Sequence, residues 1–284
     1  MTPATVGPSD SAHAPAWARL LRAANPGPMT LDGTNTWLLR ASAADRVIVV
    51  DPGPALPGHL AAIEAYGEAA LIVLTHWHPD HSDSAAGLGA HLGVPVRAFD
   101  PKWCVGGPPL TDGETLNVNG LRVHVRHTPG HTADSLSLHV ERGEHGEAAV
   151  LTGDTVLGRG TTVVLWPDGD LGSYLASLDL LAEYGDLPVL PGHGPTLPSV
   201  RAAAEQYRAH REQRLEQVRA ALENGATGAM DIVKIVYAEV DRSVWPAAEA
   251  TVRAQLEYLG VPADRSKGVS DREHIDTVRE LGEP

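Results

Sequence analysis

Leu74-Thr75-His76-Trp77-His78-Pro79-Asp80-His81 runs from an apolar strand candidate, Leu71 to Leu74, straight into three imidazoles and a carboxylate. Histidine is the commonest metal ligand, and open catalytic sites combine His and carboxylate with a position left for water. Core or surface histidines falling together by chance explain so dense a cluster poorly. A layered α/β domain with a metal centre at its strand ends is therefore the first expectation.

Two cations need a bridging anion and further imidazoles, and these follow along the chain. His131 lies in Thr128-Pro129-Gly130-His131-Thr132, Asp154 in Leu151-Thr152-Gly153-Asp154-Thr155, and His193 in Leu190-Pro191-Gly192-His193-Gly194. Each follows a strand candidate and sits beside a glycine, the pattern of a side chain projecting from a tight loop. Any one alone reads as a structural His or a turn Asp; together, behind the first cluster, they read as the rest of a dinuclear site. The single cysteine, Cys104, excludes an internal disulfide and a thiolate cluster, so His and carboxylate must hold the metal.

The 284 residues are 43% hydrophobic and 20% charged, with 29 Gly, 22 Pro and a net charge of -14. These values describe a globular chain with many specified turns, and the acidic balance opposes a broad phosphate-tracking surface. Apolar runs are too short to cross a bilayer, and no apolar stretch follows the polar start at Met1 to Asp10. A cytoplasmic protein without membrane contact is expected. Strand candidates are 37–39, 47–50, 71–74, 94–98, 121–125, 136–140, 149–151 and 188–190; helices are expected at 58–66, 83–92 and 171–184. After Pro198 the pattern turns helical, at 200–223, 229–240 and 246–259. The expected division is a catalytic domain over 1–198, a helical domain over 199–262 and a weakly ordered tail over 263–284.

The ordered donors resemble those of the metallo-β-lactamase superfamily, whose His-x-His-x-Asp-His motif is followed by a His, a bridging Asp and a final His. The resemblance spans roughly residues 20–198 and implies a four-layer αββα sandwich with the metals at one edge. It implies that His76, His78 and His131 hold one metal, that Asp80, His81 and His193 hold the other, and that Asp154 bridges them. Two divalent cations, zinc before manganese or iron, would then generate a hydroxide nucleophile, with Asp80 orienting it and managing its proton. The stretches Asn25-Pro26-Gly27-Pro28-Met29-Thr30-Leu31-Asp32-Gly33-Thr34-Asn35-Thr36-Trp37 and Gly153 to Thr162 are similar to the lactamase-beta-like-2 family, whose animal members are mitochondrial single-strand endoribonucleases. That likeness implies a small winged-helix-like C-terminal domain and cleavage of single-stranded RNA.

The residues themselves leave the substrate open. Arg159, in Gly158-Arg159-Gly160-Thr161-Thr162, is the single candidate for substrate contact. Arg201, Arg208, Arg211, Arg214 and Arg219 share one predicted helix; Arg201, Arg208 and Arg219 project roughly to one side of it and either grip phosphates or pair with Glu205, Glu212, Glu216 and Glu223 along the helix. The alternative substrate is a small ester or thioester, as for a glyoxalase II-like hydrolase, although Ser82-Asp83-Ser84-Ala85-Ala86 replaces the Gly-Gly common there. Antibiotic cleavage is disfavoured by Asp154, since true lactamases place Cys there or lack the bridging carboxylate. A non-catalytic interaction protein is the third class, with the intact donor set against it. His127 is the remaining histidine closest in sequence pattern to the site, and Trp77 and Trp166 are read as packing residues. Oligomeric state is not legible.

Overall fold

Strands β1 (Ala18–Arg22), β2 (Asn35–Leu39), β3 (Val47–Val50), β4 (Ala69–Val73) and β5 (Val96–Arg97) form one sheet in chain order in the computed structural model, which describes residues 6–143 and 146–262. Strands β6 (Thr115–Val118), β7 (Leu121–His127), β8 (Leu136–Arg142), β9 (Ala148–Gly153) and β10 (Val189–Pro191) form the second, in the order β10-β9-β8-β7-β6. In each sheet the strands that lead to the motif are parallel: β3 with β4, and β9 with β10. Their C-terminal ends therefore open on one edge.

Alternation along the strands sorts side chains into layers, because successive residues point to opposite faces. Ile48 and Val50 enter the core between the sheets with Trp37, Leu39, Leu71 and Val73, facing Val123, Val125, Leu138, Val140, Ala149 and Leu151. Val47 and Val49 point outward and pack with Ile72 and Leu74 against helices α1 (Pro57–Tyr66) and α3 (Ala85–Leu92). A four-residue helix, α2 (Pro79–Ser82), precedes α3. On the other side Val150 and Val189 meet α4 (Leu171–Ala182) and α5 (Val200–Glu223). Helix, sheet, sheet and helix make up the four-layer αββα arrangement.

Asp170 caps α4 by accepting from Ser173 N, and Ser199 caps α5 by accepting from Ala202 N, each satisfying an orphan amide of a first turn. Helix α5 serves two cores. Ala203, Ala204, Tyr207 and Leu215 join the α4 cluster, whereas Val218 and Ala221 join Ile232, Val233, Val252 and Leu256 of α6 (Ala229–Val236) and α7 (Trp245–Tyr258). Among the described residues the named elements of the C-terminal part are all helices, and no helix is long and apolar enough to cross a membrane.

Several expectations change. β1 and β6 have no counterpart among the sequence-predicted strands, the helix expected over 83–92 is α3 and starts at Ala85 after the separate turn α2, and the one expected to reach residue 240 ends at Val236. Arg211, on the predicted charged helix, is 2% exposed and turned into the protein. The tail expected over 263–284 lies outside the described residues.

Candidate metal centre

Strand β4 delivers the motif. Leaving it, His76 and His78 sit two residues apart with their rings 4.7 Å apart, edge to face. Pro79 then takes the first position of α2, where its missing N–H costs nothing, and the single helical turn presents Asp80 and His81 separately from the first pair. His131 comes from the loop after β7, Asp154 from the residue after β9 and His193 from the loop after β10. All seven expected side chains converge.

Three overlapping groups of donors result: His76, His78 and His131; Asp80, His81 and His193; and His76, His81 and Asp154. Nδ1 of His78 lies 3.0 Å from Nε2 of both His76 and His131. Nε2 of His81 and Nε2 of His193 are 3.2 Å apart, and Asp80 Oδ2 lies 3.3 and 3.2 Å from them. Asp154 reaches His81 with Oδ1 at 3.5 Å, and His193 and His131 with Oδ2 at 3.3 and 3.9 Å. It stands between the two groups.

The outer partners decide which nitrogens are bare. Thr75 Oγ1 donates to Asp51 Oδ2 (2.7 Å) and so accepts from His76 Nδ1 (3.0 Å). His81 Nδ1 donates to Asp51 Oδ2 (2.9 Å), His131 Nδ1 to the Val163 carbonyl (2.6 Å) and His193 Nδ1 to the Gly33 carbonyl (3.3 Å). With the proton assigned outward by each partner, all four Nε2 atoms face inward as lone pairs. Lone pairs this close repel unless positive charge lies among them. Asp154 Oδ1 is buried and has no hydrogen-bond partner among the described residues, a second sign that the group is built around a cation. The donors present fit divalent metal ions.

Protons show the same demand. Burial holds His76 and His131 below the usual imidazole range and His78 down to about 3, with His131 beside it adding to the effect. Burial also opposes charge on His81 and His193, but the nearby carboxylates outweigh it, raising His81 well above its ordinary value and His193 to about 9. Asp80 and Asp154 are likewise disfavoured by burial, yet the two imidazoles carry both well below the ordinary carboxylate range. Without a metal, His81, His193, Asp80 and Asp154 form a charge-balanced set in which protons on the two imidazoles stand where a cation would bind.

Asp51, Asn25 and Thr34 were not anticipated. Asp51, at the end of β3 with φ +52°, accepts from Thr75 N, Thr75 Oγ1 and His81 Nδ1; the signal for it was Asp51-Pro52-Gly53 directly after an apolar strand. Asn25 aligns Thr34, whose hydroxyl donates to Asp80 Oδ2 at 2.9 Å, and Asn35 ties down the His193 loop through the Pro191 and Gly194 carbonyls. Gly192 has to be glycine: a Cβ there would lie 2.3 Å from Asp154 Oδ1 and 2.8 Å from His81 Cε1.

Other candidates do not join the donors. His127 stacks on Phe99 at 3.9 Å and bonds to the Ala133 carbonyl. Trp77 Nε1 donates to Asp168 and Trp166 Nε1 to Glu257 on α7. Arg159 follows Gly158, which packs against the His193 loop, and its guanidinium forms a two-pronged pair with Asp32. Arg208 pairs with Asp179 and Glu212, Arg219 with Glu216, and Arg214 bonds to Gln217 and the Val236 carbonyl. A further trio, His124, His139 and Glu141, lies within β7 and β8, where Arg122 already takes the carboxylate at 2.6 Å.

Comparison with known proteins agrees with this geometry. Residues 29–193 match the metallo-beta-lactamase superfamily, and residues 228–260 match the beta-lactamase associated winged helix domain. The beta-lactamase-like protein 2 homolog of Drosophila melanogaster is 33% identical, over 83% of this chain and 85% of that protein. The atrochrysone carboxyl ACP thioesterase of Aspergillus chevalieri is 32% identical, over 75% and 70%. A metallo-beta-lactamase family protein from Thermus thermophilus superposes with a TM-score of 0.70 at 27% identity, covering 86% of this chain and 93% of that one. The sandwich, the convergent donors and these likenesses place the chain in the metallo-beta-lactamase superfamily of hydrolases, with an associated winged helix domain at its C-terminal side.

Proposed function

We propose that the protein is a dinuclear metal-dependent hydrolase acting on a compact ester or thioester, an acyl group presented on a carrier. The observation that carries the reading is the inward convergence of four lone-pair imidazole nitrogens on two carboxylates, one of them with an orphaned buried oxygen. His76, His78 and His131 would hold one cation, Asp80, His81 and His193 the other, with Asp154 between; zinc suits so imidazole-rich a set, with manganese or iron as alternatives. Two such cations supply an acidified water and a polarised electrophile.

The chain's own residues do the rest. Asp80 is 25% exposed where Asp154 is 8%, so Asp80 is the carboxylate within reach of a substrate. Thr34 fixes it through Oδ2, which fits it to orient the nucleophile and hold its proton. The substrate class rests on charge. Arg208, Arg211, Arg214 and Arg219 are engaged within the protein, Arg159 is paired with Asp32, and the net charge is -14, which supports a small acyl substrate over a polyanion. The thioesterase activity named for the Aspergillus chevalieri relative supports the same choice.

Cleavage of single-stranded RNA is the second reading, supported by the likeness of 25–37 and 153–162 to the endoribonuclease-containing family and by the Drosophila melanogaster relative's match across most of the chain. Zinc-reconstituted protein assayed in parallel on an acyl thioester, a fluorescent single-stranded RNA and a chromogenic cephalosporin, with Asp80→Ala as the blank, separates the readings. Thioester turnover lost in the variant is expected. RNA cleavage lost in the variant, without thioester turnover, replaces the first reading by the second.

A further inference from the structure

Residues 154–170 contain no helix or strand, yet they supply the acceptor that orients His131. A segment without ladder hydrogen bonds must be held from outside. Part of the hold comes from the His193 and His131 carbonyls, which accept from Gly158 N and Leu165 N, and from the Tyr174 hydroxyl, which donates to Thr155 O; the rest comes from the C-terminal helices. Tyr207 of α5 uses its hydroxyl twice, accepting from Leu157 N at 3.0 Å and donating to Leu157 O at 3.2 Å. Arg211, one turn further along α5, donates from its guanidinium to the Thr162 carbonyl. Thr251 of α7 accepts from Val164 N at 3.3 Å.

Arg211 is the unusual member. It is 2% exposed, its Nε finds no hydrogen-bond partner among the described residues, and its guanidinium lies 5.1 Å from the centre of the Tyr174 ring. Burying a cation without an opposing carboxylate is costly, so its placement calls for a compensating contact. The contacts present are the Tyr174 side chain and the carbonyl of Thr162, the residue next to the one whose carbonyl receives the His131 proton. Thr162 Oγ1 lies 3.2 Å from the same His131 nitrogen.

We infer that Arg211 is a positioning residue for the metal centre: by holding the Thr162–Val163 peptide it fixes the orientation and tautomer of His131, so that the C-terminal helices complete the three-histidine group. The winged helix side of the chain is then part of the metal site's construction, whatever it does for substrate. This rests on the reading that His131 holds a metal. It adds that the ligand is only competent while α5 and α7 clamp the 157–164 segment.

The test is zinc titration into chelator-stripped full-length protein, followed by competition with a chromophoric chelator, for wild type, His131→Ala, Arg211→Met and Arg211→Lys. Far-UV circular dichroism and urea unfolding report whether each variant is folded. His131→Ala is expected to lose one of two zinc ions. Arg211→Met, which removes a buried charge while filling the space, is expected to stay folded and to bind the corresponding zinc about 10- to 100-fold more weakly, the usual effect of removing an outer partner. Arg211→Lys should recover part of the loss. In ¹⁵N-histidine-labelled stripped protein, the His131 Nδ1–H signal should shift in Arg211→Met.

If Arg211→Met binds both zinc ions as wild type does while His131→Ala loses one, the clamp is refuted and the ligand reading stands. If His131→Ala itself keeps both, the ligand reading fails and the inference with it. Should Arg211→Met not fold, Thr251→Val decides by the same titration: weakened zinc binding in a folded variant supports the clamp, and unchanged binding overturns it.

Discussion

Asp51 Oδ2 accepts from His81 Nδ1 at 2.9 Å and, at the same oxygen, from Thr75 Oγ1, which in turn receives the His76 Nδ1 proton. One carboxylate thus sets the tautomer of an imidazole in each of the two candidate donor groups. In Asp51→Asn the left-handed backbone at φ +52° is still tolerated, since Asn adopts it readily. An amide nitrogen would then face either the His81 N–H and the Thr75 hydroxyl, or the Thr75 backbone N–H, and leave donors opposed. Zinc affinity is expected to fall about 10- to 100-fold, with hydrolytic kcat/KM falling in parallel. Chelator competition and steady-state assays on the same preparation check this; unchanged affinity would remove Asp51 from the site's construction.

Gly192 offers a steric test of the same centre. An added methyl would have to occupy the space of Asp154 Oδ1, 2.3 Å away, next to His81. Gly192→Ala should therefore keep the sandwich, whose core lies elsewhere, while displacing the carboxylate between the two donor groups. Retained circular dichroism with at most one zinc bound is the expected result. Two zinc ions at wild-type affinity would mean that Asp154 is not shared between them.

What the sequence made legible followed from local chemistry. The His-x-His-x-Asp-His run, the glycine-flanked His131, Asp154 and His193, and the alternating Val47-Ile48-Val49-Val50 all carry their signal within a few residues. Asp51 carries only the turn signal Asp51-Pro52-Gly53, because its partners Thr75 and His81 follow β4 and reach it through the parallel β3–β4 register. Strands β1 and β6, Ala18–Arg22 and Thr115–Val118, are sheet edges whose half-exposed residues form no continuous apolar run. Arg211 reads as one arginine in a charged helix; its burial arises where α5 meets α4 and the 157–164 segment, a tertiary fact that periodicity cannot encode.

Arg159 and Asp32 form an exposed two-pronged pair beside the His193 loop. Both are close to half exposed, so the pair adds little to stability, and Arg159→Ala should leave urea unfolding within about 0.5 kcal/mol of wild type. If Arg159 contacts an anionic carrier, Arg159→Ala raises KM with kcat unchanged, because it removes binding felt equally before and at the transition state. Asp32→Asn frees the guanidinium and should lower KM for the same substrate. Opposite KM shifts in the two variants are the expected outcome, and equal shifts would assign the pair to loop structure alone.

Asp134 is buried in the turn that follows His131, where burial pushes its carboxyl up to about 6, with the Thr132 hydroxyl opposing and Asp168 adding to the shift. A raised carboxylate pKa means that between pH 4 and 6 the folded state binds more protons than the unfolded one, so stability falls as pH rises through that window. At about 1.4 kcal/mol per pKa unit, the loss attributable to Asp134 is roughly 2–3 kcal/mol and is complete above pH 7. Asn at this position still accepts the Thr132 Oγ1 hydrogen bond, now 2.8 Å to Asp134 Oδ1, and carries no charge to bury. Metal-free wild type and Asp134→Asn should therefore have similar urea midpoints at pH 4, and the variant should be the more stable at pH 7.5. Every other titrating group is common to both proteins and cancels in the difference. A gap that stays constant with pH would show that the ionised Asp134 finds compensation in the folded turn.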